Sequence, residues 1–238
     1  MKIAIIGYGK MGMAIEEIAL QKEHEIALRI GLENLEEFTV ENLRHADVAI
    51  EFTGPHSAVN NIKTCMDAGL PVVCGSTGWL NHYEEVIQYC RQKNGGFLYA
   101  SNFSIGVNLF FELNSYIAKL MSKHSNYQVS IEEIHHTEKK DSPSGTAITL
   151  AEQVMQNNPA KKHWINHENG ETEDLPIISR RVDLVPGTHT VSYSSAIDDI
   201  AITHTAHNRK GFAAGAVLAA EFIQNKKGIF NMKNVLEL

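Results

Sequence analysis

No stretch of this chain approaches the roughly 18 consecutive apolar residues that a membrane-spanning helix requires. Nor does Met1 open a charged leader, an apolar run and a cleavage site; it leads straight into KIAIIG. Both absences predict a cytoplasmic protein without a membrane partner. Cysteine is scarce: Cys65, Cys74 and Cys90 are odd in number and lack a C-x-x-C spacing, which argues against a disulfide framework or a zinc site and for reduced, buried thiols. A basic surplus is missing too. With 28 acidic against 21 basic residues and a formal charge of −7, the chain lacks the cationic surface that holds a phosphate backbone, so no nucleic-acid partner is expected. Internal repeats and low-complexity tracts are absent from the sequence. What remains, 43% hydrophobic and 21% charged residues over 238 positions, is enough for one large core or two modest ones without covalent staples.

Apolar periodicity organises the first hundred residues. Lys2 to Ile6 is a short apolar run ending in Gly7, and beyond Gly12 the residues Met13, Ile15, Ile18 and Ala19 recur at helical spacing. The alternation continues with strands expected at EIALRI (25–30), DVAIEF (47–52), PVVCG (71–75) and FLYAS (97–101), and with helices over 57–68 and 81–93. Strands alternating with helices imply a parallel sheet with right-handed crossovers, an α/β class of Rossmann-like type. From Ile105 the texture changes. A long apolar helix over 107–121 precedes strand candidates QVSIEEIHH (128–136), RRVDLVPGTHTVSYSS (180–195) and IAITHTAH (200–207), which alternate in the manner of a mixed, largely antiparallel sheet with one face covered. An α+β domain over 105–207 is therefore expected, with an Ala-rich helix over 212–225 returning the chain to a first domain made of 1–104 and 208–238.

GYGKMG (7–12) is a G-x-G-x-x-G placed after an apolar strand and at the opening of a helix. Gly7 permits the tight turn, Gly9 lets the backbone approach a pyrophosphate, and Gly12 lets helix and strand pack closely while the helix N-terminus faces the anion. The same fingerprint asks for an acid about 20 residues on, at the end of the second strand, to bind the adenosine ribose. There the sequence reads LRIGLEN, with Gly31 at the expected place and Glu33 two residues beyond. NADPH and NADH both stay open, and Arg29 either meets a 2′-phosphate or is simply solvated. CGSTGW (74–79) and ASNFSIG (100–106) follow the fourth and fifth strands, where open α/β sheets bind ligands, although either could be an ordinary turn. The dinucleotide is accordingly assigned to Gly7, Tyr8, Gly9, Lys10, Met11 and Gly12, to Gly75, Ser76 and Thr77, and to Ser101, Asn102 and Phe103.

The stretch EEIHHTEKKDSPSGTA (132–147) concentrates chemistry. Ser144, Gly145 and Thr146 precede the helix-like AITLAEQVM, so their N–H groups and hydroxyls would stand at a helix N-terminus, a ready carboxylate or phosphate site. Lys139 adds a mobile positive charge, and His135 offers a group that protonates near neutral pH and can hand a proton to carbon or nitrogen. An acid, a cation and an anion cradle make a candidate active site. The plainer reading has His135 and His136 ending a strand among solvated lysines. No metal is expected, because no third ligand is suggested nearby.

HHTEKKDSPSGTA resembles the H-H-x-x-K-x-D-x-P-S-G-T-A signature of the dihydrodipicolinate reductase family. GYGKMG, EFTGP (51–55), GSTGW (75–79), NFSIGVN (102–108), PGTHTV (186–191) and ITHTAHNRKGFAAGAVLAA (202–220) resemble further family segments in family order. The resemblance implies reduction of a cyclic imine dicarboxylate, 4-hydroxy-tetrahydrodipicolinate (dihydrodipicolinate), to tetrahydrodipicolinate by NADPH or NADH in lysine and diaminopimelate biosynthesis. It implies that Ser144, Gly145, Thr146, His136 and Lys139 hold the substrate carboxylates while His135, with Lys139, supplies the proton that complements hydride addition. It also implies that the second domain binds substrate and builds a homotetramer through its sheets. The chain departs from the family pattern chiefly after the second strand, where it is short and Gly31 replaces the usual acid. A semialdehyde dehydrogenase would need a nucleophilic cysteine in a polar, basic context, which none of the three occupies. A non-catalytic NAD(P)-binding regulator would have no use for His135, Lys139 and the Ser-Gly-Thr triplet.

Overall fold

A computed structural model describes residues 1–208 and 210–238. Arg209, which falls within the 202–220 segment of the resemblance and within the expected first domain, lies outside the described residues. The chain divides into two compact units, Met1–Ile105 with Lys210–Leu238, and Gly106–Arg209. In chain order the first segment carries β1 (Lys2–Ile6), α1 (Lys10–Gln21), β2 (Glu25–Ile30), α2 (Val40–Leu43), β3 (Val48–Glu51), α3 (Ala58–Asp67), β4 (Val72–Cys74), α4 (Tyr83–Gln92) and β5 (Gly96–Tyr99). The middle segment carries α5 (Ile105–Met121), β6 (Gln128–His135), α6 (Gly145–Asn157), β7 (His163–Ile165), β8 (Asp174–Arg181), β9 (Gly187–Ser194) and β10 (Asp199–Ala206). The last segment adds α7 (Lys210–Ile223), β11 (Gly228–Phe230) and α8 (Met232–Leu236).

The first unit is a sheet in the order β11-β5-β4-β3-β1-β2 with every neighbouring pair parallel. Its side chains alternate between two cores. Ala4, Ile6, Ala49, Val72 and Phe97 pack with Ile62 of α3 and Val86 of α4. Ile3, Ile5, Val48, Ile50 and Leu98 pack on the other face with Ile15 of α1 and with Ala216 and Val217 of α7. Burial on both faces is why these strands read as continuous apolar runs, and each fully buried Ile or Val contributes roughly 1.5–3 kcal/mol. β11 has only three residues, GIF, and pairs with β5 far earlier in the chain, so no local period announces it.

The second unit is a sheet in the order β10-β9-β6-β8-β7. β6 pairs antiparallel with β9, as does β9 with β10, while β6 with β8 and β7 with β8 run parallel, so the sheet is mixed. The segment 180–195, expected as one strand, is divided: Arg181 ends β8, Gly187 opens β9, and Leu184 between them has φ +65°. Pro186 has no amide hydrogen to give a ladder, and a left-handed leucine turns the chain instead. One sheet face is covered by α5 and α6, where Phe110, Ala118, Leu150 and Val154 meet Val129, Ile131, Ile177 and Val191. On the other face Thr190 and Thr203 hydroxyls lie 3.0 Å apart and those of Thr188 and Thr205 3.3 Å.

Candidate active site

Strand alternation on β6 turns Val129, Ile131, Glu133 and His135 to the same buried face. Register then brings in residues from distant segments. His189 of β9 lies opposite Glu133, and Arg181 of β8 lies opposite His135. Glu133 is fully buried, and both its oxygens lie 3.1 Å from the Ser144 amide nitrogen, which donates to them. The Arg181 guanidinium donates to one oxygen at 3.3–3.4 Å, and the His189 Nε2 lies 3.6 Å from the other. His135 Nδ1 lies 3.4 Å from that second oxygen but out of line for a hydrogen bond, so the atom is buried without a partner. Burial alone would raise the Glu133 carboxyl; the nearby His189 and the Ser144 donor, with the charge of His135, hold it well below the carboxylate range. Burial and His189 push the His135 imidazole down to about 4; Glu133 pulls the other way and is outweighed, while Lys139 and Arg181 add to the depression.

Ser144 caps α6, its Oγ accepting from the Ala147 amide at 3.2 Å and lying 3.1 Å from His189 Nε2. The first amides of a helix have no partner within it, so those of Gly145 and Thr146 are open to an anion. Nothing stands within 4 Å of where a Cβ on Gly145 would be, so the cradle has room above it. Lys139 reaches Asp141, Nζ to Oδ2 2.8 Å, and the backbone carbonyls of Lys139 and Asp141 accept from Arg181 at 3.4 and 2.5 Å. His136 is half-buried just past β6, and its carbonyl accepts the Lys139 amide at 3.2 Å.

The expectation that no third metal ligand stands near His135 does not hold. Glu133, His135 and His189 present ligand atoms within 4.8 Å of one another, without His136. The hydrogen-bonded reading is nonetheless the stronger one. The Ser144 amide and Arg181 already occupy the carboxylate, and a dication would sit beside two fixed cations, Arg181 and Lys139. Sequence reasoning passed over Glu133, although it stands two residues before His135 on the same strand face. His189 lies in PGTHTV (186–191) and Arg181 in no motif, and strand register is what brings both to Glu133.

In the first unit, Gly7 has φ +99° and a Cβ there would lie 2.2 Å from the Phe52 carbonyl oxygen, so only glycine fits this turn. A Cβ on Gly12 would lie 2.6 Å from the Gly7 oxygen, the close helix-to-strand approach the motif requires. Gly9 precedes α1 without a side-chain cap and with nothing within 4 Å of its Cβ position, so no capping side chain satisfies the first amides of α1. These features fit a pyrophosphate. Lys10 is exposed there and Met11 half-buried. A cavity of about 1020 Å³ beside the turn is lined by Gly7, Tyr8, Gly9, Gly31, Thr53 and His56 among others. Thr53 belongs to EFTGP (51–55), whereas His56, just past it, carries no motif signal. Ser76 is buried, its hydroxyl accepting from the Thr53 amide at 2.8 Å, whereas Gly75 is half-buried and Thr77 exposed. Ser101 is exposed, Asn102 Oδ1 accepts from the Ser104 amide at 2.9 Å, and Phe103 is a core residue packed on Phe52, so its side chain is not offered to a ligand. Arg29 is exposed and lines the same cavity. It pairs with Glu16, which also accepts from the Tyr8 hydroxyl.

Residues 1–103 match the family described as dihydrodipicolinate reductase, N-terminus, and residues 106–236 match dihydrodipicolinate reductase, C-terminus. A 4-hydroxy-tetrahydrodipicolinate reductase of Christiangramia forsetii is 50% identical over 240 residues, covering 99% of this chain and 98% of the relative. One of Methanocaldococcus jannaschii is 35% identical over 199 residues, covering 81% of this chain and 72% of its own length. Among solved structures, dipicolinate-bound dihydrodipicolinate reductase from Paenisporosarcina sp. TG-14 superposes with a TM-score of 0.75 at 22% identity over 97% of both chains, a likeness of fold. Two family matches that together span nearly every residue, and a relative half identical from end to end, settle the lineage of a chain whose glycine turn, uncapped helix and buried imidazole were already in place: it belongs to the dihydrodipicolinate reductase family.

Proposed function

We propose that this chain is a 4-hydroxy-tetrahydrodipicolinate reductase, reducing a cyclic imine dicarboxylate to tetrahydrodipicolinate with NADPH or NADH in lysine and diaminopimelate biosynthesis. The observation that carries this reading is the grouping, within one unit, of an open helix N-terminus at Gly145 and Thr146, the Lys139 ammonium and the buried His135 imidazole. Dipicolinate, bound in the Paenisporosarcina protein, is a ligand of the same dicarboxylate class.

The amides of Gly145 and Thr146, the Ser144 turn, His136 and Lys139 hold the two carboxylates, and Lys139 exchanges Asp141 for the substrate as it does so. Fixing the ring by both carboxylates supplies the orientation that can lower a barrier by several kcal/mol. The dianion also changes His135: negative charge beside a desolvated imidazole favours its protonated form, so the substrate recruits the proton it will receive. Gly7–Gly12, Gly75–Thr77 and Ser101–Phe103 would hold the dinucleotide, whose reduced nicotinamide would supply the hydride. Oxidation of NADH or NADPH on adding freshly generated 4-hydroxy-tetrahydrodipicolinate tests the whole reading; no oxidation with either cofactor would end it.

Neither cofactor meets its usual discriminating group. Gly31 donates its amide to Asn34 Oδ1 at 2.8 Å where an acid would grip the ribose hydroxyls, and Arg29, which lines the cavity, has its charge already paired with Glu16. One charged hydrogen bond is worth about 1.5–3 kcal/mol, so NADH and NADPH are expected to differ in kcat/KM by less than roughly a hundredfold. A Cβ at Gly31 would find Asn34 Oδ1 and Tyr8 Cβ at 3.8 Å, so Gly31→Asp fits and should shift preference toward NADH by repelling the phosphate. The ratio of kcat/KM values, with Kd for each cofactor from fluorescence quenching, measures both effects; wild-type discrimination of several thousandfold would show that Glu33, Arg29 or Lys10 reads the ribose instead.

The uncovered face of the second unit's sheet, with its paired threonines, is where we place the contacts of a homotetramer. Sedimentation at four protomer masses is the expected result, and a monomer at micromolar concentration would remove this part of the proposal.

A further inference from the structure

Beneath the proposed carboxylate cradle lies a charged network that the reading above leaves unused. Glu133 is at its centre and entirely out of solvent. Four groups converge on its two oxygens: the Ser144 amide at 3.1 Å, Arg181 at 3.3–3.4 Å, His135 Nδ1 at 3.4 Å and His189 Nε2 at 3.6 Å. Each belongs to a different working part. Ser144 opens the helix whose first amides form the cradle. Arg181 also grips the carbonyls of Lys139 and Asp141, and so holds the loop that presents Lys139. His189 reaches the Ser144 hydroxyl at 3.1 Å, and its ring meets that of His135 edge-on at 4.9 Å between centroids. Gly187 leaves room for this arrangement, since a Cβ there would lie 3.0 Å from His135 Nε2.

We infer that Glu133, with His189 and Arg181, is a positioning group that locks the anion cradle, the Lys139 loop and the His135 ring into one rigid body, so that seating a carboxylate and presenting the proton are a single event. A carboxylate removed from water costs several kcal/mol unless it is paired and fully hydrogen-bonded, and Glu133 meets that condition only while all its partners stay in place. Displacing any one of them exposes an unsatisfied charge, and the parts therefore move together or not at all. Glu133 touches neither the cradle amides nor the substrate position directly; it acts through Ser144, Arg181 and the two histidines. The charged and titratable groups facing His135 are Glu133 on its own strand, His189 from β9, Arg181 from β8 and Lys139 from the loop beyond. Of these, Glu133 alone favours the imidazolium.

This inference rests on the reading that Ser144–Thr146 bind a carboxylate and His135 gives the proton, and its test is kept apart from turnover. Binding of pyridine-2,6-dicarboxylate to the intact chain is measured by calorimetry, and the His135 ring is followed by NMR titration in the saturated complex. Glu133→Gln keeps the shape and removes the charge. Affinity should fall at least tenfold, and His135 should titrate at a pH lower by one unit or more than in wild type. A purely structural role would lower the melting temperature and leave the titration where it was. Affinity within twofold of wild type together with an unmoved His135 titration overturns the inference. If Glu133→Gln does not fold, His189→Gln carries the same affinity test: a loss of at least fivefold supports the network, and an unchanged affinity sinks it. Should the wild-type chain bind the dicarboxylate and answer to Glu133 in this way yet turn over no substrate, the proposed reaction fails and the positioning role stands.

Discussion

Replacing His135 by glutamine is expected to lower turnover by roughly two orders of magnitude or more, the usual scale for losing a positioned acid, with a much smaller change in KM. Glutamine keeps a polar group near Glu133 and removes the transferable proton. The pH dependence identifies the proton. With the imidazole pushed down to about 4, only about one molecule in a thousand carries it at pH 7 before substrate arrives. In the proposed mechanism the protonated form is the active one, so each rate is expected to fall as pH rises through the relevant pKa. kcat/KM reports the free protein and should already be falling across neutral pH, whereas kcat reports the substrate complex and should hold level to a higher pH. In His135→Gln the break in kcat should vanish. Wild-type turnover in that variant would assign the proton to Lys139 alone.

Lys139→Ala is expected to damage kcat and KM together, because in the proposed mechanism one ammonium serves both the carboxylate and the proton transfer. Loss of a charge-assisted hydrogen bond of about 1.5–3 kcal/mol corresponds to roughly a ten- to hundredfold drop in kcat/KM. The side chain is not idle in the free protein, where it is tied to Asp141 at 2.8 Å. Part of its binding energy is spent on that exchange, which favours the lower end of the range. The lysine charge also depresses His135, so its removal should move the kcat break to higher pH, opposite in sign to the effect of Glu133→Gln. Steady-state constants across pH measure both; an unchanged pair of constants would make Lys139 a surface charge.

What could be read from the sequence was what is local. β1 and the GYGKMG turn announced themselves because a strand buried on both faces is a continuous apolar run and because Gly7 and Gly12 face carbonyl oxygens too close for a Cβ. The two-unit alternation of β and α was legible for the same reason, while β7 and β11, three residues each, are strands only through pairings with distant partners. The candidate site divides along the same line. His135, Lys139 and Ser144–Thr146 lie within a dozen residues, so chemistry and helix signals coincide in one stretch. Arg181 and His189 enter by register across β8 and β9, and a one-residue slip of either strand would turn them to the opposite face. The Arg29–Glu16–Tyr8 grouping was invisible because it joins a strand, a helix and a turn whose mutual orientation no spacing encodes.

The interrupted course of the first unit has a consequence for synthesis on the ribosome. Ile3, Ile5, Val48 and Ile50 share their side of the sheet with Ala216, Val217 and Ala220 of α7, and β5 finds its outer partner only in β11. A nascent chain that has just emerged through β5 therefore carries an apolar sheet face covered only in part, by α1, and an open strand edge, and must carry them while about a hundred further residues are made. The middle unit is contiguous and complete before α7 exists. The segment translated last helps to cover the face translated first, so the first unit's sheet is finished only after the whole of the second unit has been made.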